Sequence, residues 1–299
     1  MSADERIQIA SSFLLQSPPG EINDVLNDVR AIIEDDEALQ TGILPALLEY
    51  NITQFTTVDV PGHDHQVIIS QAGQLPGDNP RFVDPRSKTS FVFDHLRLEA
   101  TDPQPYEPDA DAEPFREALE RALLAYVSDH FHEGVASVFA RPTSSGSGSE
   151  FVLQLVSNKY NPPNFWSGRW RSEYILDFAN KDSEDGGPII VGNILVTVHY
   201  YEQGNVQLAT THAPSIAVPV AARSQSDLAT ASKIVALIQR EESAHQSGLS
   251  ATFSDMAEKS FRSLRRALPL TKQKMDWDRV AGYKLGAELT ASGGIFGAA

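Results

Sequence analysis

Apolar residues in the early part of the chain recur at helical spacing. Ile7, Ala10 and Leu14 share one face, and Pro18-Pro19-Gly20 ends that pattern. Ile22, Val25, Leu26, Val29, Ile32 and Ile33 repeat at three- and four-residue steps, with Asp24 and Asp28 on the outer side. A third pattern over roughly 37–50 places Leu39, Ile43, Leu47 and Leu48 together, with Pro45 kinking or starting that helix. Short links between amphipathic helices predict a small antiparallel bundle over residues 1–52.

Residues 53–110 read as a small β and loop region. Phe55 to Val60 and Gln66 to Ser70 flank a polar turn and predict a hairpin. Residues 72–90 are rich in Gly, Pro, Asp and Asn and read as loop, Phe91 to Phe93 as a short strand, and the proline-bearing 102–108 as a linker. Asp111 to His130 carries a stripe of Phe115, Leu119, Ala122, Leu123, Tyr126 and Val127, the mark of a helix with one buried face.

Strand patterns follow over 135–140, 151–157, 169–178, 189–202 and 205–212, the last two joined by Gln203-Gly204. Short connections predict an antiparallel meander, so residues 111–222 form a helix plus a five-stranded sheet. From about Gln225 the spacing turns helical again through Ile234, Val235, Ile238, His245, Leu249, Phe253, Met256 and Ala257. A helix over 223–268 continuing to Arg266 would be about 60 Å long at ~1.5 Å per residue, with Gly248 able to bend it and the meander as its bed. Pro269 breaks the pattern, and Asp276 is placed to cap a last helix bearing Trp277, Val280, Ala281 and Leu285 on one arc. Residues 269–299 are thus a separate tail with a disordered glycine-rich end. The fold class is α+β.

Charge changes this picture at one place. The chain of 299 residues has a formal charge of −16, yet Lys259 to Lys284 holds eight basic and two acidic residues. That segment is +6, leaving −22 for everything else. A cationic, amphipathic tail on an acidic body is built to hold a partner, whereas the acidic bulk excludes nucleic acid as the general one. The first twenty residues do not read as a signal peptide and no apolar run reaches membrane-spanning length, so a reducing, aqueous compartment is expected.

Candidate chemistry is sparse. With no cysteine, thiolate nucleophiles, disulfides and cysteine metal sites are excluded. His63-Asp64-His65 and His130-Phe131-His132-Glu133 lack the spacing and companion ligands of a zinc site. Asp182 to Gly187 resembles a calcium loop only in composition. Neither a phosphate-binding glycine loop nor a nucleophile elbow is present. No cofactor or metal is expected, and an enzyme is the weakest of the functional classes. Besides the tail, Asn164 to Glu173 stands out: Trp166, Arg169, Trp170 and Arg171 suit either an interface or an ordinary packed sheet corner. The alternation over 169–174 puts charge on one face, exposed or buried against a partner.

Motifs spread along roughly residues 5–290 resemble the alpha subunit of F-actin capping protein. They are Pro18 to Val25 with Asn27 to Arg30, Phe82 to Arg86, Phe93 to Arg97, Asp102 to Pro105, Asn164 to Glu173, Val198 to Leu208, and Leu264 to Thr271 leading to Asp276-Trp277. The resemblance implies an obligate heterodimer with a beta subunit, each giving five strands to one shared sheet, each ending in a mobile actin-binding segment. It implies calcium-independent capping of filament barbed ends, in the cytoplasm and cortical actin, with phosphoinositides and protein regulators as further partners. Carried over by position, basic actin contacts fall on Arg262, Arg266 and Lys272 with Arg265 and Lys274 beside them, and apolar ones on Trp277, Val280, Ala281 and Leu285. Trp166, Arg169, Trp170, Arg171, Tyr200 and Tyr201 are the expected subunit interface. Lys272 stands where many relatives have Arg, and Gln203 where Asp is usual. The alternative role is a scaffold or adaptor subunit in a larger actin- or motor-associated assembly.

Overall fold

The computed structural model describes residues 3–33, 42–77, 81–142, 149–178, 187–202, 205–220 and 226–255. The chain divides into two units between Ala244 and His245.

In the first unit, helices α1 (Ala3–Leu15), α2 (Ile22–Ile33) and α3 (Leu44–Thr53) enclose Ala10, Leu14, Ile22, Leu26, Val29, Leu47 and Tyr50. Pro45 sits in the first turn of α3 and starts the helix, where its missing N–H costs nothing. The phenol of buried Tyr50 points at the carbonyl of Pro18, 3.3 Å away, so α3 closes over the end of α1.

The expected hairpin is present as β1 (Thr57–Asp59) and β2 (Gln66–Ile68), paired Thr57 to Ile68. Behind it lies a second sheet, in the order β3 (Phe82–Asp84), β4 (Thr89–Asp94) and β5 (Glu99–Pro105). Here two expectations need correction. The stretch 72–90 is not all loop, since β3 lies within it, and 102–108 is not a linker, since its first part is strand β5. Proline is tolerated there because β5 is an outer strand, exposed beyond Ala100. The register slips between Ser90 and Val92, and Asp102 takes φ +51° at the irregularity. Phe82, Phe91, Phe93, Val67 and Ile69 close this small core.

Helix α4 (Glu113–His130) leads into the main antiparallel sheet. Its strands are β6 (Val135–Pro142), β7 (Ser149–Asn161), β8 (Trp166–Asp177), β9 (Ile189–Tyr200) and β10 (Val206–His212), in the order β10-β9-β8-β7-β6. The meander is as expected. One element was not foreseen: β11 (Ser215–Ala217) pairs with Ile189–Val191 on the same side of β9 that β10 occupies further along. β10 and β11 therefore form one outer strand interrupted at Ala213-Pro214. Pro214 has no N–H to give the ladder, but its carbonyl accepts from Gly192 N–H at 2.8 Å.

One face of the sheet is covered by α4 and by α5 (Asp227–Asp255) through Leu119, Leu123, Val138, Leu153, Leu176, Ile234 and Ile238. Arg116 of α4 is buried there between Glu113 (2.8 Å) and Glu120 (2.9 Å) and also donates to the Val138 carbonyl. On the other face Phe139 and Val152 pack with Val83, and Gly73 lets the chain approach the Phe139 ring closely.

Of the second unit, residues 245–255 are described. They carry the last turns of α5, where Thr252 Oγ1 donates to the Gly248 carbonyl at 2.9 Å. The helix runs through Gly248 to Asp255. Its expected continuation to Arg266, and the last helix from Asp276, lie outside the described residues.

Candidate functional site

Alternation along β8 sends its side chains to opposite faces, and each face does different work. On the helix-covered face, Trp170 packs in the main core with its ring centroid 6.0 Å from that of Phe131. Ser172 Oγ and Tyr174 Oη both donate to the Glu242 carboxylate of α5, at 2.6 and 2.9 Å. Tyr126 Oη of α4 donates to its other oxygen at 2.5 Å. Burial, then the neighbouring Glu242 charge, pushes the phenols of Tyr126 and Tyr174 far above their ordinary range. They stay protonated donors, and the buried carboxylate is satisfied by three hydroxyls from two elements, β8 and α4.

On the opposite face stand Arg169 and Arg171. Arg169 is buried, and its guanidinium donates to Asn158 Oδ1 (2.7 Å), Gln54 Oε1 (3.2 Å) and Tyr160 Oη (3.0 Å). Every acceptor is neutral. Arg171 is half-buried, and its Nε is shut from solvent with no hydrogen-bond partner among the described residues. Burial, and next the Arg169 charge, draws its pKa down to about 10. It lines a cavity of about 280 Å³ with Ile52, Thr53 and Phe55 at the end of α3 and Asn193 and Leu195 on β9.

Trp166 opens β8 opposite Tyr200 of β9. Tyr200 is exposed, with its hydroxyl on Glu202. Tyr201 sets its ring edge against Phe165, centroids 6.0 Å apart, and lies 5.0 Å from the His199 ring. The six residues grouped in sequence are therefore not one patch. Trp170 belongs to this chain's own core and Arg169 is held within its own chain. Trp166, Arg171, Tyr200 and Tyr201 remain on or near the surface.

Two polar clusters escaped the sequence reading. Glu21, just ahead of α2, accepts from His199 Nδ1–H at 2.6 Å and from Ser167 Oγ at 3.1 Å, tying the helical trio to β8 and β9. Glu242 had a signal: it falls on the stripe of Ile234, Val235 and Ile238, where a carboxylate has no place unless donors meet it. Two of the histidines weighed as metal ligands are engaged otherwise. His65 bridges Asp64 and buried Asp84 at 3.0 and 2.9 Å, and His130 sits between the Tyr126 carbonyl and Gln239, both at 3.0 Å. Among the described residues no three metal-ligating side chains converge, and no helix is long and apolar enough to cross a membrane.

The outer strand β10 is the remaining feature. Its side chains are largely solvent-exposed, Val206 to 61%. Its free side presents backbone N–H and C=O groups beyond β9, a template for another chain. The basic tail, with Arg262, Arg265, Arg266, Lys272, Lys274, Trp277, Val280, Ala281 and Leu285, lies outside the described residues.

Residues 10–288 match the family model of the F-actin capping protein alpha subunit. A Caenorhabditis elegans protein named F-actin-capping protein subunit alpha is 38% identical over 291 residues, 97% of this chain and 99% of that one. Its Neurospora crassa namesake is 37% identical over 94% of this chain and 96% of its own, and the Dictyostelium discoideum one 31% over 96% and 99%. Among solved structures, the homodimeric actin capping protein alpha subunit from Plasmodium berghei shares the fold at a TM-score of 0.70 and 21% identity, over 90% of this chain and 99% of that one. With the meander, the late helix and all but the first turns of the helical trio inside the matched span, the chain belongs to the F-actin capping protein alpha subunit family.

Proposed function

We propose that this chain is the alpha subunit of a heterodimeric F-actin capping protein. It pairs with a beta subunit, occupies the fast-growing barbed ends of actin filaments and blocks subunit exchange there without calcium. The observation that carries the reading is the family match over residues 10–288. Capping is occupation of an end, so no bond is made or broken.

Pairing draws support from the surface. β10 leaves an open sheet edge, and Phe13 of α1 and Ile32 of α2 are 58% and 80% exposed, apolar groups that a second subunit would cover. Filament contact is assigned to the tail. There Arg262, Arg266 and Lys272, flanked by Arg265 and Lys274, would steer docking on acidic actin, and Trp277, Val280, Ala281 and Leu285 would bury apolar area. Such a protein works in the cytoplasm at the cortical cytoskeleton, and the same cationic tail would take phosphoinositide headgroups in competition.

Elongation of fluorescent actin from filament seeds tests this, with the chain co-expressed with a beta subunit. Barbed-end growth stops at substoichiometric protein, with or without a calcium chelator. Undisturbed growth at saturating protein overturns the reading. A second reading, a dimer of two copies of this chain, is favoured by the homodimeric Plasmodium relative. Sedimentation of the chain expressed alone separates the two.

A further inference from the structure

We infer that Arg171 is the seat of an inter-subunit ion pair, filled by a carboxylate of the beta subunit reaching under the open side of the main sheet. The inference rests on the pairing reading and adds to it the contact that fixes how far the partner reaches.

The argument begins with charge. Arg169 and Arg171 stand two residues apart on one face of β8, in a chain of net charge −16. Neither has a carboxylate within ion-pair distance among the described residues. Arg169 is at least surrounded by neutral acceptors; Arg171 donates to no described residue at all. Glu173 lines the same cavity, but it is engaged by Gln154 Nε2 at 2.5 Å and forms no ion pair with Arg171. Two adjacent, partly desolvated cations repel one another, an arrangement that a counter-charge relieves. Arginine with an unused planar fork takes a carboxylate in bidentate fashion.

Geometry then says from where. Arg171 pairs across with Leu195 on β9, and Leu195 with Thr211 on β10, so these side chains form one row from the cavity to the sheet edge. At about 4.8 Å per strand that row is roughly 10 Å long, within reach of a segment lying under two strands. Away from His199, this face of β9 and β10 is open to solvent, with Val191 52% exposed and Asn193, Ala209 and Thr211 exposed too. The residues ending α3 and Gln71 wall the cavity away from β9, and the exposed residues of β9 and β10 mark the side from which a group would enter. A chain added along β10 has its own elements beside this bare face. The unmatched charge, the bare face and the open edge are continuous, and their chemistry selects an acidic occupant.

The test uses the co-expressed heterodimer. Arg171→Lys puts a primary amine at the site, and a carbodiimide then joins it to any carboxylate in contact, read by peptide mass spectrometry. The expected product links position 171 to an Asp or Glu of the beta subunit. In parallel, Arg171→Met should raise subunit dissociation, followed by native mass spectrometry on dilution, by about tenfold or more. A heterodimer in which position 171 couples only within its own chain, or to nothing, overturns the inference while leaving the pairing reading intact. Failure of the wild-type chains to associate at all removes the pairing reading, and this inference with it.

Discussion

Tyr174 of β8 donates its hydroxyl to the carboxylate of Glu242 on α5, 2.9 Å away, in the middle of the main core. Ser172 and Tyr126 converge on the same carboxylate, so one charge fixes α5 against two strand positions and against α4. Glu242→Ala strands three buried hydroxyls and is expected to cost about 3 kcal/mol or more. Tyr174→Phe removes one donor of three and should cost about 1 kcal/mol. Denaturant unfolding of the purified complex ranks the two; equal losses would mean the carboxylate is not the hub.

Alkaline pH should separate these tyrosines from the rest. Their folded pKa values lie above the ordinary 10.0, because burial and Glu242 disfavour the phenolate. Between the unfolded and folded values the native state holds protons that the unfolded state has lost, so stability falls as pH rises. The contribution is complete below about pH 10 and is lost progressively above it. Spectrophotometric titration of folded protein should leave Tyr126, Tyr174 and Tyr50, which burial also raises, un-ionised while exposed phenols titrate, and Tyr174→Phe should flatten the stability loss above pH 10. An unchanged slope in that variant would contradict the assignment.

Gly192 is required where β9 passes under the break between β10 and β11. A Cβ there would lie 2.7 Å from the Tyr174 ring and 2.8 Å from Pro214 Cγ. Tyr174 is fixed by Glu242 and Pro214 by its own ring, so neither yields easily. Gly192→Ala is expected to destabilise by about 1–3 kcal/mol. Hydrogen exchange should show the loss first at Ser215–Ala217, the short strand held beyond that break.

How much of this was legible in the chain depends on whether burial writes a period. The helical trio and the meander were, because one buried face imposes spacings of 3.6 or 2. β5 was not, because an outer strand buries little and tolerates the prolines that read as a linker. β11 is only Ser215–Ala217, too short for alternation to register. The Trp and Arg run was flagged, but its division was hidden. Whether Arg169 is spent within the chain depends on Gln54, 115 positions away, and no local pattern records such a pairing. Glu242 stands on an apolar stripe, but its partners come from strand β8 and helix α4, far off in sequence, and so its role was not read.

The tail assignment yields the sharpest functional prediction. Reversing Arg262, Arg266 and Lys272 to Glu changes the charge of a segment that is otherwise the only strongly cationic run in an acidic chain. Those positions follow every described strand and helix in the sequence, so the variant should still co-purify with the beta subunit at unchanged melting temperature. Its capping should weaken about a hundredfold or more, because like charges set against an acidic filament cost several kcal/mol and slow association. Raising salt should weaken wild-type capping and narrow the gap between the two proteins, since the lost attraction is screened within about 8 Å at physiological ionic strength. Vesicles bearing phosphoinositides should compete with the wild type and not with the variant. Normal capping by the charge-reversed heterodimer would move the filament contact off these residues.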